Sequence, residues 1–142
     1  MTTIVSYDNP DFYSRGCYQR LPIHDNIHPW SWERSFIWWG YYSLYTGFQW
    51  KDPNYDVYIS TISIESHTDF YFALGAYIWN PPGTADWIAF TRCKPSGITF
   101  NFPQGYTSRL AYGGYLQIYW WPFVVNWTYY LDFQASGYKM PS

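Results

Sequence analysis

The chain is 142 residues long, with 8 Lys or Arg against 10 Asp or Glu, a net charge of -2, and 17 Tyr, 10 Trp and 10 Phe. That length fits one domain over residues 1–142 with a core of its own, and so few cations exclude the basic stripe that duplex nucleic acid requires. Low charge weakens self-repulsion, so a homo-oligomer is expected.

In chain order, the opening MTTIVSYDNPDFY has neither a basic n-region nor an apolar h-region, so it is not a secretory signal. The expectation is a cytoplasmic protein, an unconventionally secreted one, or one whose leader lies outside this sequence. Ile4–Tyr7 reads as a short strand. Cys17–Ser35 breaks every period and is expected to be a long, ordered N-terminal loop. Within it, His24-Asp25-x-x-His28 would place two ligands on one helical face. Pro22 and Pro29 flank the motif and oppose that helix, and a third ligand would have to come from His67 or Glu33. Neither a metal nor a cofactor is expected.

Strand patterns then follow almost without interruption. Phe36–Phe48 sets Phe36, Trp38, Gly40, Tyr42 and Leu44 on one face. Asp56–Ile64 is shorter. Asp69–Trp79 alternates Phe70, Phe72, Leu74, Ala76 and Ile78 against Tyr71, Ala73, Gly75, Tyr77 and Trp79. Asp86–Cys93 and Ile98–Phe102 follow, then Leu110–Trp120 and Phe123–Phe133, the last with Val125, Trp127, Tyr129, Leu131 and Phe133 on one face. Turn formers separate them at Lys51–Asn54, Asn80–Thr84, Lys94–Gly97 and Pro103–Gly105. No window carries a 3.6 period with caps. About eight strands at this spacing predict an all-β, single-domain antiparallel β-sandwich or barrel.

Between Arg109 and Asp132 the chain carries no charge, a length that could span a bilayer as a helix. Gly113, Gly114, Gln117, Pro122 and Asn126 oppose that reading, as do the period of two and rings that prefer interfaces. Two adjacent strands turning near Trp121-Pro122 are expected instead. Tyr112, Leu116, Ile118 and Trp120 would face the core, with Tyr115, Tyr119 and Trp121 outward. Gly113-Gly114 reads as a bulge or a close backbone approach. The Asn126-Trp127-Thr128 sequon reads as accidental in a chain without a signal. Cys17 and Cys93 form either one disulfide or two free thiols.

Catalytic patterns are absent. There is no G-x-S-x-G elbow, no glycine-rich phosphate loop, nothing that specifies a positioned base with an electropositive site for a nucleophilic cysteine, and only two glutamates, Glu33 and Glu65. The chain is therefore read as a non-enzyme. Its strongest signal is the recurrence of a ring beside short polar side chains in three turns: Trp50–Asp56, Asn80–Trp87 and Asn101–Tyr106. A sugar offers an apolar C–H face to a ring and hydroxyls to Asp, Asn and Gln, so such loops on a rigid scaffold predict lectin-like carbohydrate binding. The expected ligand-binding residues are Trp50, Asp52, Asn54, Tyr55, Asn80, Asp86, Trp87, Gln104, Tyr106 and Trp121. Two other readings use the same rings. One is membrane docking or pore formation in the manner of β-sandwich cytolysins, through Trp120, Trp121, Tyr129 and Tyr130. The other is stacking of a flat aromatic or chromophoric small molecule.

Overall fold

In a computed structural model of the chain, residues 3–6, 12–13, 18–39, 43–66, 71–93, 97–102, 104–123 and 128–142 are described, with 3–6, 12–13, 84–93 and 98 by their backbone. Strands in two sheets face one another as a sandwich that does not close into a barrel. The first sheet is built on three long strands in the order β4 (His28–Trp39), β12 (Thr128–Pro141), β6 (Tyr55–Ser66). The far edge of β6 is shared end to end. β9 (Gly97–Asn101) pairs with Thr61–Glu65, and β10 (Tyr106–Leu110) pairs with Val57–Ile59. The Phe102 N–H donates to the Ser60 carbonyl at 2.9 Å and carries the ladder across the break. Beyond them lie β1 (Thr3–Ser6), parallel to β9, and β3 (Gln19–Arg20), antiparallel to β10.

The second sheet runs β2 (Phe12–Tyr13), β8 (Thr84–Cys93), β7 (Phe72–Asn80), β11 (Tyr115–Pro122), β5 (Leu44–Gln49), all antiparallel. The chain crosses between sheets after β1, β2, β4, β5, β6, β8, β10 and β11. Consecutive strands thus mostly belong to different sheets and are not hairpin neighbours.

Period-two patterning drives this assembly. Phe72, Leu74, Ala76 and Ile78 of β7, Leu116, Ile118 and Trp120 of β11, and Tyr129, Leu131, Phe133 and Ala135 of β12 are all buried in one core. Trp120 of one sheet meets Tyr129 of the other edge-on, with centroids 4.7 Å apart. Burying each such large side chain contributes about 1.5–3 kcal/mol. In β6 the inward set changes phase, from Val57 and Ile59 to Ile62 and Ile64. The cause is a bulge: Thr61 lies opposite Ser136 and Ile59 opposite Gly137, leaving Ser60 as the extra residue.

Several expectations are corrected. Half of the expected N-terminal loop, from His28 onward, is strand β4. Its alternation of half-buried Trp30, Trp32, Phe36 and Trp38 with exposed partners is the period-two signal, hidden by the prolines and histidines before it. Phe36–Phe48 is not one strand, because the chain leaves the first sheet after Trp39 and enters the second at Leu44. Leu110–Trp120 is likewise divided by a turn at 111–114, where Gly113 takes a φ of 83°. Tyr112 is therefore on that turn and 58% exposed, not in the core. β11 and β12 are not adjacent either: Trp121-Pro122 precedes a crossing, and each strand pairs within its own sheet. β12 continues to Pro141, well past Phe133. The expectations for Tyr7, Cys17, Gly40, Tyr42, His67, Asp69, Phe70, the Lys94–Gly97 turn before Gly97, Pro103, and residues 124–127 with the Asn126 sequon fall outside the described residues.

Candidate functional site

Two of the three ring-bearing loops meet at one end of the sandwich, and the 111–114 turn joins them. The Trp50 N–H donates to the Gly114 carbonyl and the Gly113 N–H to the Trp50 carbonyl, both at 2.8 Å. Asn80 clamps the same turn: its Nδ2 donates to the Arg109 carbonyl at 3.0 Å, and its Oδ1 accepts from the Ala111 N–H at 2.9 Å. A Cβ at Gly114 would collide with Asn80 Oδ1, which explains the glycine there. The structure therefore uses the polar atoms proposed for a ligand. Trp50 Nε1 donates to the Tyr55 carbonyl at 2.6 Å, and Asp52 Oδ1 accepts from the Asn54 N–H at 2.9 Å in an Asx turn. Tyr55 packs edge-on against His28 and lies beneath the Lys139 ammonium. Asn54 is exposed, and its carbonyl accepts from the Ser142 N–H.

The third loop lies apart. Gly105 is paired with Leu21, and Tyr106 stacks under the Arg20 guanidinium at 4.9 Å. Gln104 and Tyr106 line a cleft of about 200 Å³ with Ser60, Thr61, Asn101 and Tyr138. The five residues of β10 separate this cleft from the 111–114 turn, about 17 Å of extended chain. Asp86 and Trp87, on β8, are in register with Ile78 and Tyr77 of β7, and the side chains of β8 are outside the described atoms.

What the sequence reading did not assemble is the solvent face of the second sheet. The outward residues of β11 are Tyr115, Gln117, Tyr119 and Trp121, as its alternation predicts. Across from them stand Trp79 and Tyr77 on β7, and Tyr45 on β5. Trp79 is near-parallel to Tyr115 (5.3 Å, 19°), Tyr77 to Tyr119 (5.8 Å, 19°), and Tyr119 to Trp121 (5.7 Å, 12°). Tyr45 adds a tilted contact to Tyr119 and is 66% exposed. Gln117 sits at the centre: the Tyr77 hydroxyl donates to its Oε1, and the Tyr119 hydroxyl does so at 2.9 Å. Small residues make room for the rings, with Gly47 opposite Gln117, Gly75 opposite Tyr119 and Ala73 opposite Trp121. Burial pushes the Tyr77 phenol well above its ordinary pKa, and its hydrogen bonds with Tyr115 and Tyr119 push the same way. The signal available for this surface was one polar residue inside a strictly alternating row of rings.

Round the edge of this sheet, among the described residues, β4 and β5 each pair on one side only, and Phe48 bridges them, 5.3 Å from the Trp30 ring and 5.4 Å from Trp32. Two clefts flank Phe48. One, about 520 Å³, is lined by Trp30, Trp32, Trp50 and Asp52. The other, about 550 Å³, is lined by Arg34, Phe36, Tyr45, Thr46, Tyr115 and Gln117, among others. Thr46 is one of its lining residues, and the Thr46 hydroxyl is buried and has no hydrogen-bond partner, an arrangement that costs about 1–3 kcal/mol. Arg34 escaped the sequence reading because its strand was taken for a loop.

An ion pair lies away from this surface. Asp56, 5% exposed, accepts from Arg109 Nε at 2.8 Å. That bond raises the Arg109 pKa, while burial, with the Asp56 charge, raises that of Tyr58. This pair joins β6 to β10 and has a structural part. His24 Nδ1 accepts the Asn26 N–H at 2.9 Å within its own loop. Among the described residues no three His, Cys, Asp or Glu side chains gather as a metal site, and no helix is long and apolar enough to cross a membrane. No protein-family model matches the chain, and no curated protein sequence matches it either.

Proposed function

We propose that this protein is a non-catalytic carbohydrate-binding protein, and that it binds through the solvent face of its second sheet in place of the three loops. The carrying observation is the row of near-parallel rings from Trp79 and Tyr115 to Trp121, with Gln117 among them. From Tyr115 to Trp121 the row extends about 20 Å along the strand, several sugar rings long. The rings supply C–H stacking surfaces at low entropy cost, and the phenol hydroxyls and the Gln117 amide supply oriented hydrogen bonds. The cleft at Trp50 and Asp52 adjoins this face around Gln49, so those two residues stay within the proposed surface. Gln104 and Tyr106 do not.

Shallow, wet sites of this kind bind in the millimolar to micromolar range, roughly -4 to -8 kcal/mol. A homo-oligomer would multiply that by avidity. The test is a glycan array followed by titration with soluble polysaccharides, in which Tyr119→Ala and Trp121→Ala should each weaken binding. An array that stays blank while bare lipid vesicles bind would transfer the reading to membrane docking. That second reading is favoured by one observation on the other sheet, the exposed apolar group of Ile37, Trp39 and Tyr130 at one end of β4 and β12.

A further inference from the structure

We propose that Arg34 and Thr46 form an anion subsite in the open seam between β4 and β5, and that the saccharide bound by this protein carries a carboxylate. This inference rests on the sugar-binding reading of the second sheet. Along the row of β4 that faces the seam, Trp30, Trp32, Arg34, Phe36 and Trp38, Arg34 is the one charge. Thr46, two residues before Phe48, lines the same 550 Å³ cleft as Arg34.

Among the described residues both groups are without a polar partner. Thr46 is 6% exposed, and its hydroxyl has no partner, although it is a donor with two acceptor lone pairs. Arg34 is exposed, and no described side chain forms an ion pair or hydrogen bond with it. Its register neighbour across the sheet is Phe133, and Glu33, next in the chain, belongs to the opposite face of the strand. A neutral sugar gives a guanidinium nothing that an amide would not. A carboxylate gives it a planar, charge-assisted, bidentate partner, and leaves the other carboxylate lone pairs for the Thr46 hydroxyl. The same cleft is walled by Tyr45, Tyr115 and Gln117, so one saccharide can place its acid here and its neutral rings on the adjoining face.

The experiment titrates the full chain with oligosaccharides containing glucuronate, galacturonate or N-acetylneuraminate, and with their neutral counterparts, at low and high salt. The expected result is at least tenfold tighter binding of an acidic member than of its neutral counterpart, reduced by salt. Arg34→Gln should abolish that preference and leave neutral binding unchanged. Thr46→Val, which removes an unsatisfied hydroxyl without changing shape, should weaken acidic binding several-fold while thermal stability holds or rises. If acidic and neutral sugars bind equally and Arg34→Gln changes neither, the inference is overturned and the reading of the ring face stands. If acidic binding depends on Arg34 but survives Tyr119→Ala and Trp121→Ala, the subsite stands and the ring-face reading falls. If no acidic sugar binds the folded protein at 10 mM, as an order-of-magnitude ceiling for a weak site, the inference is overturned.

Discussion

The two faces of β11 carry similar chemistry to opposite ends. Inward stand Leu116, Ile118 and Trp120, fully buried, and outward stand Tyr115, Gln117, Tyr119 and Trp121, each keeping part of its surface in water. Both faces hold a Trp. Trp120 is locked between Phe72 and Tyr129 and belongs to the core that joins the sheets. Trp121 stacks on Tyr119, its neighbour two residues back on the solvent side. The difference teaches that ring content by itself does not separate core from binding surface. The phase of the strand does, because a shift of one residue exchanges the two sets.

The sharpest way to break this contrast is a pair of truncations. Ile118→Ala should destabilise by about 2–5 kcal/mol through a core cavity. Trp121→Ala should leave stability within about 0.5 kcal/mol, as for a surface change. Chemical denaturation of both variants decides it, and an unfolded Trp121→Ala beside a silent Ile118→Ala would mean the faces are exchanged. Removing the cation from the other sheet's outer face comes next. Arg109→Ala leaves the buried Asp56 carboxylate without its half-exposed ion-pair partner, at a cost of about 1–3 kcal/mol, measurable in the same way. A result near zero would show that water reaches Asp56.

The outward face also makes a backbone demand. Gly47 has a φ of 152°, and a Cβ there would run into the Leu116 carbonyl. Gly47→Ala should therefore cost about 1–3 kcal/mol and lower saccharide affinity by disturbing Gln117 opposite, seen by melting and titration together. Smaller still, Tyr119→Ala should weaken saccharide binding about tenfold, or about 1.4 kcal/mol, in isothermal titration, whereas Tyr106→Ala on the distant cleft should not. The smallest effect is alkaline. Tyr77 holds its proton above the ordinary phenol pKa of 10.0 in the fold, so above pH 10 the unfolded chain binds fewer protons than the native one. Stability is then fully present below pH 10 and falls as pH rises beyond it. Tyr77→Phe should flatten that fall in denaturation midpoints measured from pH 9 to 11, a range set by the phenol pKa.

Much of this was legible in the chain. The inward rows of β7 and β11 and the first half of β12 follow from alternation, because a strand with one face on a core must alternate. The site was less legible. Asn80, Asp52 and Trp50 looked like ligand groups because turn-formers and sugar-binders are the same residue types. Only the structure shows that Arg109, Ala111, Asn54 and Tyr55 satisfy them. Arg34 was lost with its strand, since Pro22, Pro29 and two histidines masked the period that begins at His28.

The sequence by itself determined the all-β class, most strands and which side chains of Leu116–Trp121 are core, since those depend on local periodicity and on the water-avoidance of apolar side chains. The tertiary structure alone decided which strands are neighbours, because nothing local distinguishes a hairpin from a crossing between sheets. It also decided that Tyr45, Tyr77, Tyr119 and Trp121 share one surface, and that Arg34 and Thr46 share one cleft. Those groupings join residues dozens of positions apart, and strand pairing brings them together.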